Sequence, residues 1–145
     1  MNIIIDTGFW YAFYDDKDQY HSEAVAMMSS LEKHQILIPY PSLYETIDTR
    51  FSKRKNWMSL FHDFIQSTRC TLIPDDKYKQ ETLKITFDSS LVRNRPISLV
   101  DMVIRQMLDD VNLNVGAIVT FNPEDFSDVC RIRRKILICD THTQI

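Results

Sequence analysis

Five short aliphatic runs, separated by longer amphipathic stretches, limit what this chain can fold into. They are Ile3-Ile4-Ile5, Ile36-Leu37-Ile38, Thr71-Leu72-Ile73, Ala117-Ile118-Val119-Thr120 and Ile136-Leu137-Ile138. β-branched residues dominate them, and consecutive positions are apolar together, so both faces of such a strand need cover. That is the pattern of a parallel sheet buried under helices, not of a sheet with one wet face.

The stretches between supply the helices. Thr7 to Tyr14 is aromatic-rich and short. His21 to Lys33 places Ala24, Val25, Met28 and Leu31 at near-helical spacing. Pro41 suits a first helical turn, and Leu43, Tyr44, Ile47 and Phe51 extend one apolar face to residue 51. Trp57 to Thr68 predicts another helix. Asp75 is expected to cap one that runs to about Val92. Ser98 to Val111 follows the 3.6-residue period most closely, whereas Phe121 to Asp128 reads as a loop with Asn-Pro turn chemistry. Strands alternating with helices predict an α/β fold: a three-layer sandwich with a mainly parallel sheet of about four to five strands and helices on both faces.

The 145 residues fit one domain, 1–145, with the last few residues as a flexible tail. Gly8 and Gly116 are the only glycines, which removes any glycine-rich phosphate loop. The net charge of −3 gives no general attraction for nucleic acid, so binding a polyanion would need a local basic patch or a bound cation. Cys70, Cys130 and Cys139 are odd in number and lack C-x-x-C spacing, as expected for reduced thiols in the cytoplasm. No histidine pairs with a cysteine at zinc-ligand spacing. The N-terminus lacks the basic region of a signal peptide, and no apolar run approaches the roughly 18–20 residues of a membrane span.

Sites in open α/β sheets form outside the carboxyl ends of the strands. Asp6 directly follows the first aliphatic run, and Glu45 lies early in the helix after the second. Asp101 sits in the first turn of the clearest helix, and Asn122 and Asp125 follow the fourth run. Each has an ordinary structural role as well: Asp6 and Ser98-x-x-Asp101 as helix caps, Glu45 as a first-turn acid, Asn122-Pro123 as a turn. Taken together, they bring carboxylates and one amide to a single cleft. Clustered carboxylates repel unless a cation sits among them, and Mg²⁺ or Mn²⁺ prefers such oxygen ligands.

These pieces also carry a resemblance. I-I-I-D-T at 3–7, P-S-L-Y-E at 41–45, S-L-V-D at 98–101 and I-V-T-F-N-P-E-D-F at 118–126 resemble, in order and spacing, the PIN-domain nucleases, and among them the VapC-like toxins of toxin–antitoxin pairs. The resemblance implies a Mg²⁺- or Mn²⁺-dependent endoribonuclease with Asp6, Glu45 and Asp101 as catalytic acids. Asp6 and Asp101 would hold the ion, Glu45 would bind it directly or through water, and Thr120 would be the supporting hydroxyl. The fourth acid of many relatives is replaced by Asn122, with Asp125 three residues on as a second outer-shell candidate. An RNA substrate, a cognate antitoxin and a homodimer are the implied partners. Arg50, Lys53, Arg54, Arg93 and Arg95 are the cations expected to guide the RNA backbone.

Other readings compete. Asp6-Thr7-Gly8 spells the aspartic-protease triplet, but such proteases need two of these loops on a β-rich fold. A phosphatase using Asp6 as nucleophile would usually want an aspartate at position 8, which is Gly. A non-catalytic PIN-like domain that binds RNA or protein through a weakened metal site is the remaining alternative.

Overall fold

All five aliphatic runs form strands in the structure, a computed structural model that describes residues 1–145. They are β1 (Asn2–Ile5), β2 (Gln35–Pro39), β3 (Cys70–Ile73), β4 (Val115–Val119) and β5 (Ile136–Ile138). Every pairing is parallel, and the order across the sheet is β3-β2-β1-β4-β5. The chain winds outward from β1 through β2 to β3, then returns to lie on β1's other side with β4 and β5. β1 and β4 therefore flank the point where the winding direction reverses, where α/β sheets open a crevice at their carboxyl ends.

The two-residue alternation of the strands sorts their side chains into two cores. Ile3, Ile5, Ile36, Ile38, Ala117 and Val119 face one layer, under helices α1 (Thr7–Tyr14), α2 (His21–Leu31) and α5 (Lys55–Ile65). Ile4, Leu37 and Ile118 face the other, under α7 (Leu99–Asp109) and α8 (Ser127–Arg133). The first core is aromatic. Phe9 and Trp10 of α1 are fully buried and meet edge-to-face, and Trp10 packs against Phe61 and Phe64 of α5.

Three expected boundaries are corrected. The helix after β2 is two helices, α3 (Tyr40–Thr46) and α4 (Thr49–Ser52). Ile47 leaves helical geometry at ψ 58°, and the Asp48 carboxylate accepts the Phe51 amide to restart the chain. The helix after β3, α6 (Lys79–Leu91), starts after a turn in which the Asp75 carbonyl accepts the Tyr78 amide, so Asp75 is not its cap. The stretch read as a loop holds a 3-10 turn at Pro123–Asp125 followed by α8. At the end of the chain, the Thr141 amide donates to Glu23 Oε1 at 2.7 Å and Ile145 packs on the first core. No helix is long and apolar enough to cross a membrane.

Candidate metal centre

Asp6 stands where β1 stops. Its amide still belongs to the sheet, donating to the Val119 carbonyl at 3.0 Å, while its side chain already caps α1 by accepting the Thr7 amide at 2.7 Å. The other carboxylate oxygen accepts the Thr120 hydroxyl at 2.9 Å. Thr120, fully buried at the end of β4, also accepts the Asn122 amide at 2.9 Å, so one hydroxyl ties Asp6 to the turn beyond β4. Glu45 enters from α3, where Thr7 donates its hydroxyl to Oε2 at 3.0 Å. Asp101 enters from α7, whose first turn is capped by Ser98 accepting the Asp101 amide at 3.1 Å. The capping roles read from the sequence for Asp6 and Ser98 are thus present, and they aim the carboxyl groups as well as ending helices.

The electrostatics show that these groups share one space. Burial pushes the Asp101 carboxyl up to about 7, helped by the charges of Asp6, Asp125 and Glu45 and opposed by its hydrogen bond with Ser98. Burial also raises Asp6, against the Thr120 and Thr7 hydrogen bonds, with Glu45 and Asp125 adding to the rise. None of the four acids makes an ion pair; every salt bridge in the molecule lies elsewhere. The Asn122 side-chain amide donates to the Asp125 carboxylate, so the two candidates for the fourth position form one hydrogen-bonded pair. An aspartate at 122 would face Asp125 as a like charge; the amide supplies a donor instead.

The donor set fits a hard divalent cation: oxygen ligands only, partly desolvated, and none of the carboxylates held in an ion pair. No three His, Cys, Asp or Glu side chains converge closely enough to close on an ion by themselves.

The expected guide cations are arranged less simply. Arg50 pairs with Asp15 at 2.6 Å and lies over the Tyr11 ring, Arg93 pairs with Asp88, and Arg95 pairs with Asp128 at 2.9 Å. Arg54 lies over the Trp57 ring, and Lys53 is exposed. Sequence reasoning missed Arg105, one turn beyond Asp101 on α7. It grips Asp128 of α8 with both terminal nitrogens, at 2.6 and 2.8 Å, and donates to the Asp125 carbonyl at 2.6 Å. The only sequence signal was its i+4 spacing from Asp101, which puts both on one helix face.

No protein-family model matches the sequence, and no curated protein matches it. Solved structures do. The Sarcin-Ricin loop cleaving toxin VapC20 of Mycobacterium tuberculosis superposes with a TM-score of 0.69 at 16% identity, covering 87% of this chain and 94% of that one. VapBC2 of Rickettsia felis, bound to a DNA fragment from its promoter, superposes with a TM-score of 0.61 at 21% identity, covering 94% of this chain and 97% of that one. The fold implied by the resemblance is borne out: this chain has the α/β fold of the PIN-domain VapC toxins, with its acids at the carboxyl edge of the same kind of sheet.

Proposed function

We propose that the chain is a Mg²⁺- or Mn²⁺-dependent endoribonuclease acting on single-stranded or structured RNA, and the toxin of a toxin–antitoxin pair. The observation that carries this reading is the gathering of Asp6, Glu45, Asp101 and Asp125, none of them ion-paired, where burial and mutual repulsion drive Asp101 to about 7. That solved structures of the same fold include a toxin described as cleaving the Sarcin-Ricin loop supports it.

Asp6 and Asp101 are the residues that would hold the ion, with Asn122 and Asp125 accepting hydrogen bonds from its water. When bound, the ion supplies a polarised water and a counter-charge for the phosphate under attack. Thr120 and Thr7 hold the Asp6 carboxylate in place. Glu45, steadied by the Thr7 hydroxyl, is exposed and free to orient the attacking water or take its proton. Lys53 and Arg54, which no carboxylate pairs with, are the guide cations left free for RNA phosphates.

Incubation of a mixed set of single-stranded and hairpin RNAs is expected to give cleavage with Mn²⁺ or Mg²⁺ and none with EDTA. Asp6→Asn is expected to lower the rate by more than about a hundredfold, since even outer-shell changes at metal sites cost 10–100-fold. Metal-independent cleavage, or full activity in Asp6→Asn, would exclude this mechanism. Because no three acids close on one point, a non-catalytic PIN-like module is the second reading. RNA binding without cleavage at any metal concentration would favour it.

Two apolar surfaces support the proposed protein partners. Trp10 is core and Tyr11, Phe13 and Tyr14 are half-buried, so the free apolar area is elsewhere. Leu83, Phe87 and Leu91 of α6 are exposed one turn apart, Phe87 at 60% and Leu91 at 78%. Such a stripe suits a homodimer. An apolar cleft of about 630 Å³ between α3, α6 and α7, lined by Tyr44, Leu83, Leu99 and, of the site acids, Glu45, suits an apolar antitoxin helix that would lie against Glu45. Phe87→Glu is expected to turn a dimer into a monomer in light scattering. An unchanged mass in that variant would remove α6 from the interface.

A further inference from the structure

We propose that a cavity of about 270 Å³ beside Asp6 is the pocket for one unpaired nucleobase next to the cleaved phosphodiester, an inference that rests on the nuclease reading above. Asp6, Gly8, Tyr11, Tyr20, Phe121 and Asn122 line it. Two of these belong to the acidic centre, so a group held here is a direct neighbour of the reacting phosphate.

The cavity is built for an aromatic ring. The Tyr20 and Phe121 rings lie parallel, with centroids 4.5 Å apart and planes 8° from each other. Behind them Phe121 stacks on Phe9 at 6.1 Å, and Phe9, fully buried, stacks on Phe13 at 6.0 Å. Tyr20 is the outer member of this pile and is 42% exposed. Its position is set by the backbone, because the Asp18 carboxylate accepts the Tyr20 amide at 2.8 Å. A rigid aromatic platform anchored in a core, with its last ring reaching solvent, is a base-stacking surface that needs no ordering on binding.

Charge selects the base over the phosphate. No lysine or arginine lines the cavity, whereas Asp6 and Asp18 do. A phosphate would be repelled, but the Asp18 carboxylate and the Gln19 amide, both on its wall, can hydrogen-bond to the edge of a base. Using that edge requires an unpaired base, since pairing occupies it.

Gly8 keeps the cavity open. A Cβ added there would meet no atom within 4 Å, although the residue lies in the first turn of α1. Glycine is a poor helix former, so the helix gains nothing from it. What its missing side chain provides is room.

The test compares wild type, Tyr20→Ala and Gly8→Leu on a short RNA that wild type cuts with Mn²⁺, and on copies made abasic at one position at a time around the cut. Gly8→Leu is expected to melt no lower than wild type, and Tyr20→Ala to lose only its stacking on Phe121, leaving the fold intact by circular dichroism. Both should raise KM about tenfold with little change in kcat, the size expected for one lost stacking contact. One abasic position adjacent to the cut should raise KM equally for wild type, and add nothing further in Tyr20→Ala. Wild-type KM in Gly8→Leu, or multiplying effects of Tyr20→Ala and every abasic site, would overturn the pocket while leaving the nuclease standing. Failure of wild type to cut any RNA with metal would overturn the nuclease reading, and the pocket with it.

Discussion

Asp101→Asn is expected to lose RNA cleavage and, in the absence of metal, to be more stable than wild type. The Asp101 carboxyl stands at about 7 in the folded protein against 3.8 for an unperturbed aspartate. Between those values the folded state keeps a proton that the unfolded state has released. Stability of the metal-free protein therefore falls as pH rises from about 4 through about 7. Asparagine carries no such charge and keeps the size of the side chain. The variant's advantage should be absent near pH 4 and full above about pH 7, where a half-buried group of this kind is worth about 2 kcal/mol. Urea unfolding in EDTA at acidic and alkaline pH measures it directly. Mn²⁺ should then reverse the ranking, raising the melting temperature of wild type and leaving the variant nearly unmoved. A variant that is less stable than wild type at pH 8 without metal would mean that the acids are not in conflict.

The second large effect is expected one helical turn from Asp101, at Arg105. Arg105 is only 14% exposed, grips Asp128 with two nitrogens, and donates to the Asp125 carbonyl. Together with Arg95 it holds the Asp128 carboxyl far below the usual carboxylate range, Arg105 being the stronger cause. Arg105→Ala leaves Asp128 with Arg95 alone and the Asp125 carbonyl without its donor. Truncating one partner of a partly buried pair costs about 2–3 kcal/mol here, less than the 3–5 of a fully buried pair, because Asp128 is still 30% exposed. Arg95 is 44% exposed, so Arg95→Ala is expected to cost well under half as much. Arg105→Ala should also loosen the turn bearing Asn122 and Asp125, seen as faster amide exchange at residues 122–126. Equal melting temperatures for the two alanine variants would show that the α7–α8 clamp does not hold this turn.

The strands were legible because each is apolar on consecutive positions, and the same residues then divide between two cores by simple alternation. The helix break at Ile47 was not, because the apolar spacing Leu43–Ile47–Phe51 runs unbroken across it; the break is made by the local bond between Asp48 and the Phe51 amide. α8 was hidden because only Val129 and Cys130 of its residues are buried, too few to show a period, and the Asn-Pro turn before it suggested a loop. At the site, Asp6 and Asp101 could be picked out by their places at a strand end and a helix start. The pairing of Asn122 with Asp125, and the grip of Arg105 on Asp128 across 23 residues, depend on side-chain directions that no spacing encodes. Tyr20 and Phe121 went unremarked for the same reason, being a hundred residues apart and stacked only through the fold.

The central place of β1 makes the acidic centre a product of distant parts of the chain. Asp6 precedes Val119 and Thr120 by more than a hundred residues, yet its backbone amide and one carboxylate oxygen are held by them. A chain that stops before β4 keeps only the Thr7 amide on this carboxylate. The carboxylates can come into register only after residues 115–120 have paired with β1, so this centre cannot be assembled from any fragment that ends before β4.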